Sequence, residues 1–292
     1  MKSIGILKTV YNQSGLVDRI VSNINDYASP YLRTFIQDDF SRDDTYEKYQ
    51  AWAPAFTGIW RTAKNGGARA NIASLMEKCD TDYLTFAAGD DFIYPPTARA
   101  LLDLIQQDDP DIVIVKGVHV SEEDAYSLTR APDLNVHFAP GACKNSQLFS
   151  IKWNSATDVM VAAATNPGLI WSQGLLVKTS LAKRAGFPPS GEVDDWGFQH
   201  NLAVIALSEN LRIKLVDRIL GVMSKQPNSM GSEVMKQLER QVNVIDRHWD
   251  PRFKKAALLN CLKKKLEQFR GDAFSYDDVL GGLSATLDRC SK

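Results

Sequence analysis

Short apolar runs rich in β-branched and aromatic residues alternate with longer stretches of helical period over residues 1–120. The runs predict strands near Ile4–Thr9, Leu32–Gln37, Gly58–Arg61, Tyr83–Ala87 and Asp111–Val118, and the longer stretches predict helices near Gly15–Asp26, Thr45–Ala51, Ala68–Lys78 and Pro96–Gln107. Such alternation is how successive β-α units of a mostly parallel sheet read in sequence. Polar punctuation falls just after the strand ends, at Asn12, Asp38–Asp43, Asn65–Gly67 and Gly89–Asp91. Open α/β sheets place their ligands at that edge. From about Ser121 to Pro167 the period fades into a long connection with short elements of its own. It returns as a strand at Leu169–Val177, a short helix to Ala185, a helix opening at the acidic pair Asp194 and Asp195, a last strand at Arg212–Met223, and helix throughout Ser232–Lys292.

Composition narrows the class. A chain of 292 residues with 44% hydrophobic content is long enough for one large α/β domain or for one domain plus a helical appendage. Lys and Arg number 34 and Asp and Glu 35, so no global field attracts nucleic acid, and charge-driven binding has to be local. Cys79, Cys143, Cys261 and Cys290 lie far apart, with neither zinc spacing nor a disulfide framework, which fits a reducing cytoplasm. The opening "MKSIGILKTV" is too short for a secretory signal, and no apolar stretch approaches the roughly 18 residues of a membrane span. The expectation is a soluble or at most peripheral cytoplasmic protein.

Five segments carry chemistry. "YNQSGLVDRI" closes the first strand with Tyr11 and Asn12, which alone is a strand-to-helix turn. "FIQDDFSRDDT" ends a buried strand on Asp38 and Asp39; helix capping accounts for Ser41 or Asp43 but not for that pair. Asn65, Gly66 and Gly67 form a tight turn that aims a helix N-terminus at any phosphate present, although the Walker lysine and the G-x-G-x-x-G spacing are absent. In "LTFAAGDDFIYPP" two like charges, Asp90 and Asp91, sit at a strand tip; adjacent carboxylates there imply a cation, a polarised ligand or exposure to water. Asp194 and Asp195, ahead of Trp196 and Phe198, open a later helix, a place the helix dipole also favours for acids.

In order and spacing these segments resemble the family 2 glycosyltransferases: a Y-N pair, a D-D-x-S segment, an N-x-G turn, an acidic element followed by Pro95, and an E-D-W-like element about a hundred residues later. The likeness runs over roughly Met1 to Met230. It implies a GT-A fold, a mostly parallel central sheet flanked by helices, with residues 1–118 as the nucleotide-binding half, 119–230 as the acceptor-binding half and 231–292 as a C-terminal helical extension. It implies inverting transfer of a sugar from a nucleotide diphosphate sugar, most of all a UDP-sugar, to a hydroxyl acceptor, in bacterial surface polysaccharide or glycoconjugate synthesis. Tyr11, Asp38, Asp39, Asn65, Gly67, Asn71 and Asp90 would bind the donor nucleotide. Asp90 and Asp91 would hold Mn²⁺ or Mg²⁺, Asp195 would be the general base with Asp194 beside it, and Trp171 and Trp196 would face the sugars.

Ala88 stands where the family has its first acid and Gln226 where it often has a His, so the cation is expected to be held weakly. Arg69 lies one residue before the position of the Arg that commonly precedes the family's Asn, here Asn71. These departures support an alternative: a catalytically inactive GT-A-like module that binds nucleotide or sugar within a polysaccharide assembly complex. Clustered unused carboxylates would be a standing electrostatic cost, which counts against it. A nucleotidyltransferase would need a Gly-rich, basic loop after the first strand, and "TVYNQSG" supplies none. His119 reads as a structural residue. The acceptor, whether glycan, lipid-linked or another hydroxyl, would meet the long connection around Lys116, His119 and Trp153. Residues 252–270 form an amphipathic basic helix, either docked on the catalytic domain or lying peripherally on the inner face of an anionic membrane.

Overall fold

The structure is a computed structural model that describes residues 1–52, 55–138, 143–166, 169–170, 172–187, 195–225 and 242–269. An eight-stranded sheet runs β3-β2-β1-β4-β7-β6-β8-β5. Its first half consists of β1 (Ile4–Val10), β2 (Leu32–Asp38), β3 (Thr57–Arg61) and β4 (Tyr83–Ala88), all parallel. Buried on both faces, β1 reads as a continuous apolar run rather than an alternating one. Ile4, Ile6 and Val10 join one apolar cluster and Leu7 the cluster on the opposite face.

The second half is mixed. β7 (Leu175–Lys178) is antiparallel to both β4 and β6 (Ile112–Ser121), β8 (Ile213–Lys225) is parallel to β6, and β5 (Phe92–Ile93) is antiparallel to β8. The strand expected at Leu169–Val177 is shorter because Ser172–Gly174 forms a 3-10 turn. There Gly174 packs so closely on the Val115 carbonyl, 2.7 Å from where a Cβ would stand, that no side chain fits.

Helices cover both faces. α1 (Val17–Tyr27) buries Val17, Ile20, Val21 and Ile24, one stripe of 3.6 period. α2 (Thr45–Trp52), α3 (Gly67–Lys78) and α4 (Pro95–Asp108) follow, α4 with prolines in its first turn, where their missing N–H groups have no intrahelical acceptor to lose. The long connection contains α5 (Glu122–Leu128), α6 (Ser146–Ser150) and α7 (Ala156–Thr165), and α7 opens on a reciprocal Ser155–Asp158 capping box. α8 (Thr179–Ala185) and α9 (Asp195–Glu209) complete the layer beside α3.

The C-terminal extension is docked. α10 (residues 242–248) and α11 (Pro251–Phe269) are separate helices, divided where Pro251 begins a new first turn, and residues 270–292 lie outside the described residues. Val242, Ile245, Trp249, Ala257, Leu258 and Cys261 form their own core. Trp249 Nε1 donates to Ala164 O at 2.7 Å, Asn260 Nδ2 to Thr165 O at 2.7 Å, and the Trp249 ring stacks on His200 of α9 at 4.0 Å. The inward stripe of α11 is therefore occupied as far as Cys261. No helix among the described residues is long and apolar enough to cross a membrane.

His200 is the pH-sensitive part of this joint. Its Nε2 accepts the Asp250 amide at 2.9 Å, so the imidazole is unprotonated there, and burial pulls its pKa to about 4 against the opposing charge of Asp250. The unfolded chain takes up that proton near 6.5, so the contribution is complete above 6.5 and is lost as pH falls to about 4. Asp250, held down to about 2 by Arg252, stays ionised through that window. Thermal melts of the native chain should fall in midpoint from pH 7 to 4.5 more steeply than those of His200→Phe, and parallel curves would refute the assignment.

Candidate active site

The strand order reverses at β1, which has β2 on one side and β4 on the other, so the C-terminal ends of β1, β2 and β4 open together at a switch point. Loops after β1 and β2 are laced to each other there. Asn12 N donates to Ser41 Oγ at 2.9 Å, Arg42 N to Asn12 Oδ1 at 2.8 Å, Gln13 N to Thr45 Oγ1 at 2.8 Å and Ser14 N to Asp43 Oδ2 at 3.1 Å. Asn12 takes a left-handed φ of 51°, which Asn tolerates. Tyr11, 39% exposed, stands at the rim.

The two aspartates ending β2 have different work. Asp38 is 0% exposed; it accepts from Ser41 N at 3.0 Å and from Ser41 Oγ, with Arg61 Nε 3.3 Å away. It holds the loop and offers no free face to a ligand. Asp39, 5% exposed, accepts Gly66 N at 2.7 Å on one oxygen and Gly67 N at 2.8 Å on the other. A carboxylate on the first amides of α3 satisfies donors that a helix start leaves unpaired. Gly67 has φ +80°, a conformation natural only to glycine, and Asn71 Nδ2 returns to Gly67 O at 3.0 Å. Asn71 Oδ1 is buried without a hydrogen-bond partner, and Asn65, two residues before Gly67, is exposed. Phe40, also at positive φ (62°), lies with Tyr46 against the Arg61 guanidinium, 5.4 and 5.2 Å from the ring centroids.

The turn after β4 separates the second acidic pair. Asp91 N donates to Ala88 O at 3.1 Å, closing the turn, and Ala88 N donates to Asp91 Oδ2 at 3.1 Å. Asp91 is 5% exposed and also accepts from Gln173 Nε2, whereas Asp90 stays half-buried at the rim. Ser224 Oγ donates to Asp90 O at 3.0 Å. Gly89 lies against Gln13 and the Thr9 carbonyl, where a Cβ would come to 2.7 Å of that oxygen. Beneath the turn is Lys8, 1% exposed, which donates to Ala88 O at 2.8 Å and Asp91 O at 2.6 Å. Burial lowers the Lys8 pKa against the charges of Asp91 and Asp90, and burial with Asp90's charge raises that of Asp91. The sequence reading passed over Lys8 and Gln173; the one available signal was a charged residue inside the apolar run "IGILKTV".

The expected base lies on α9, which begins at Asp195. Phe198 fixes this first turn against β4: its ring meets Phe86 edge-on at 5.2 Å and stacks on Phe187 at 5.0 Å. For Asp195 and Trp196 the backbone alone is described, and Asp194, Trp171 and Gln226 lie outside the described residues.

A divalent cation fits this donor set only as a shared ligand. Among the described residues no three His, Cys, Asp or Glu side chains are grouped to hold one. Asp90 offers a hard carboxylate at the rim, and hard cations are commonly held by one or two carboxylates with the substrate's phosphates and water.

The family model for Glycosyl transferase family 2 matches residues 6–153. No curated protein matches the chain. Among solved structures, TarS 1-349 of S. aureus in complex with UDP-GlcNAc is similar at a TM-score of 0.64 and 14% identity, over 99% of this chain and 82% of that one. A mannosyltransferase from Pyrobaculum calidifontis in complex with GDP-Man and Mn²⁺ gives 0.56 and 14%, over 97% and 79%. Glucosyl-3-phosphoglycerate synthase of Mycobacterium tuberculosis, with Mn²⁺, UDP and glucosyl-3-phosphoglycerate, gives 0.51 and 12%, over 86% and 81%. At these identities the likeness is one of fold, the GT-A architecture.

Proposed function

The chain belongs to glycosyl transferase family 2, and from that premise we propose that it moves a sugar from a nucleotide diphosphate sugar, a UDP-sugar first of all, to an acceptor hydroxyl with inversion at the anomeric carbon. The observation that carries the reading is the Asp39 carboxylate on the Gly66 and Gly67 amides, beside the turn that presents Asp90. Each Asp39 oxygen keeps a lone pair for a nucleobase N–H, and Tyr11 offers a ring face at the same rim. The donor phosphates then lie toward the Gly67 turn and Asn71 on one side and Asp90 on the other. Asp38 serves this site by fixing the loop rather than by touching the donor, and Asp91 stands behind Asp90 rather than beside it. When bound between Asp90 and the diphosphate, a Mn²⁺ or Mg²⁺ ion offsets the charge left on the departing nucleotide. Asp195 takes the acceptor proton as the hydroxyl attacks, with Asp194 as its electrostatic partner and Trp196 and Trp171 at the sugars.

The nearby folds were solved with UDP-GlcNAc, GDP-Man and UDP, which supports a nucleotide sugar donor without choosing among them. In this reading residues 1–118 bind the nucleotide, 119–230 receive the acceptor and 231–292 are the C-terminal extension, of which residues 242–261 pack on the domain. Assembly of a bacterial surface polysaccharide or glycoconjugate, on a glycan or lipid-linked acceptor in the cytoplasm or at the inner membrane face, is the setting we propose. Ala88, which removes one family acid from β4, favours a second reading, a non-catalytic nucleotide- or sugar-binding module.

One experiment addresses both. A panel of UDP- and GDP-sugars is titrated and followed for slow hydrolysis, with and without Mn²⁺. One donor should bind and hydrolyse, with Mn²⁺ tightening binding by about tenfold, and no Mn²⁺ should survive dialysis of nucleotide-free protein. Binding without turnover selects the module, and no binding to any donor rejects both readings. Metal retained through dialysis would contradict the shared-ligand site.

A further inference from the structure

A lysine inside the central strand of a sheet is costly to bury, and one that persists there needs strong partners. Lys8 is among the largest fully buried side chains of the protein. Its ammonium donates to the two carbonyls that bracket Gly89 and Asp90, those of Ala88 and Asp91. These are the ends of a single turn, closed by the Asp91 amide on Ala88 O. The other supports converge on the same four residues: Ser224 on the Asp90 carbonyl, Gln173 and the Ala88 amide on the Asp91 carboxylate, Thr9 and Gln13 against Gly89. The Ala88 amide and carbonyl, the Asp90 carbonyl, and the Asp91 amide, carbonyl and carboxylate are thereby held, whereas the Asp90 side chain stays at the half-buried rim.

We infer that Lys8 is the positioning residue of the donor site, clamping the Ala88–Asp91 turn from below so that Asp90 alone, with the Asp91 carboxylate turned in onto Ala88 N and Gln173, faces the donor diphosphate and its cation. This rests on the donor reading above and deepens it. The acidic pair has a divided role: one carboxylate closes the turn on the Ala88 amide and Gln173, and the other is presented outward on a backbone held by Lys8 and Ser224. Holding a ligand group within a fraction of an ångström by its supporting shell is what lets a single carboxylate act where a cluster is absent. Lys8 touches neither donor nor cation, and its effect passes through Asp90.

The test is a double-mutant cycle on binding of UDP and of GDP, each with saturating Mn²⁺, by titration calorimetry. Lys8→Met, which keeps an unbranched side chain of similar reach, should weaken nucleotide binding by about tenfold or more. Asp90→Ala should do the same in the native background but add almost nothing in the Lys8→Met background, because the group it removes is already misplaced. A general loss of stability would instead make the two effects add, and that result overturns the proposal. So does native affinity in Lys8→Met. Restoration of binding by Lys8→Met with Asp91→Asn would mean that Lys8 merely neutralises Asp91, which also overturns it. If Lys8→Met does not fold, Lys8→Gln, which keeps an amide donor, carries the same cycle. Failure of the native protein to bind either nucleotide would count against the donor reading itself, a result separate from all of these.

Discussion

Replacing Asp195 with Asn is expected to cut turnover by a factor of about 10² to 10⁴ while leaving donor affinity nearly unchanged. A sugar hydroxyl is a poor nucleophile until its proton is removed as it attacks, and the amide is of the same size but accepts no proton. Asp195 opens α9, whose first turn is held on β4 by the Phe198, Phe86 and Phe187 rings. A base carried there sits on a rigid element next to the strand that delivers Asp90. Asp194→Asn should be milder. Steady-state rates with the donor selected by the panel, together with calorimetric donor binding, decide the matter. Near-native turnover in Asp195→Asn, or a loss of donor binding in proportion to the loss of rate, would return the acidic pair to the role of a helix cap.

Asp39→Ala is expected to weaken nucleotide binding by between about tenfold and a hundredfold, because hydrogen bonds to a charged group contribute about 1.5–3 kcal/mol each. One such bond, to the nucleobase, is lost from the complex, while the two from Gly66 N and Gly67 N disappear from the free protein as well. The loss is twofold in kind: an acceptor for the nucleobase goes, and the turn at positive φ that starts α3 loses its anchor. Asp39→Asn should fall between, since an amide oxygen accepts one of the two backbone donors. Titration of UDP against each variant measures the series; equal affinity across native, Asn and Ala forms would remove the nucleotide from this rim.

The parallel half of the fold was legible because its strands are buried on both faces and end in polar punctuation. The β1, β2 and β4 runs, with the helices between them, stand within a few residues of where periodicity puts them. The rim followed from the same pattern, since strand direction alone decides where Asp39, Gly67 and Asp90 gather. What resisted was set by partners remote in sequence. A two-residue strand such as β5 has no period to read and exists through its pairing with β8. α7 was legible in principle, from Ser155, Asp158 and the apolar run after them, but it sits in a Pro- and Asn-rich stretch that reads as connection. Asp90 and Asp91 are neighbours of identical chemistry. Which one turns inward depends on Lys8 and Gln173, and neither lies near them in the chain.

The lacing of the β1 and β2 loops also decides where the entropy of substrate capture falls. Asn12, Gln13 and Ser14 are already hydrogen-bonded to Ser41, Arg42, Thr45 and Asp43 before any donor arrives. If the donor binds at that wall as proposed, it freezes little backbone, and its conformational penalty is confined to the ligand and a few side chains. A wall of this kind discriminates by shape more than by adaptation: a base that does not fit the existing spacing gains nothing from rearrangement. Loop exchange with a relative would therefore have to move both loops together, since either one grafted alone would leave its partner's amides without acceptors.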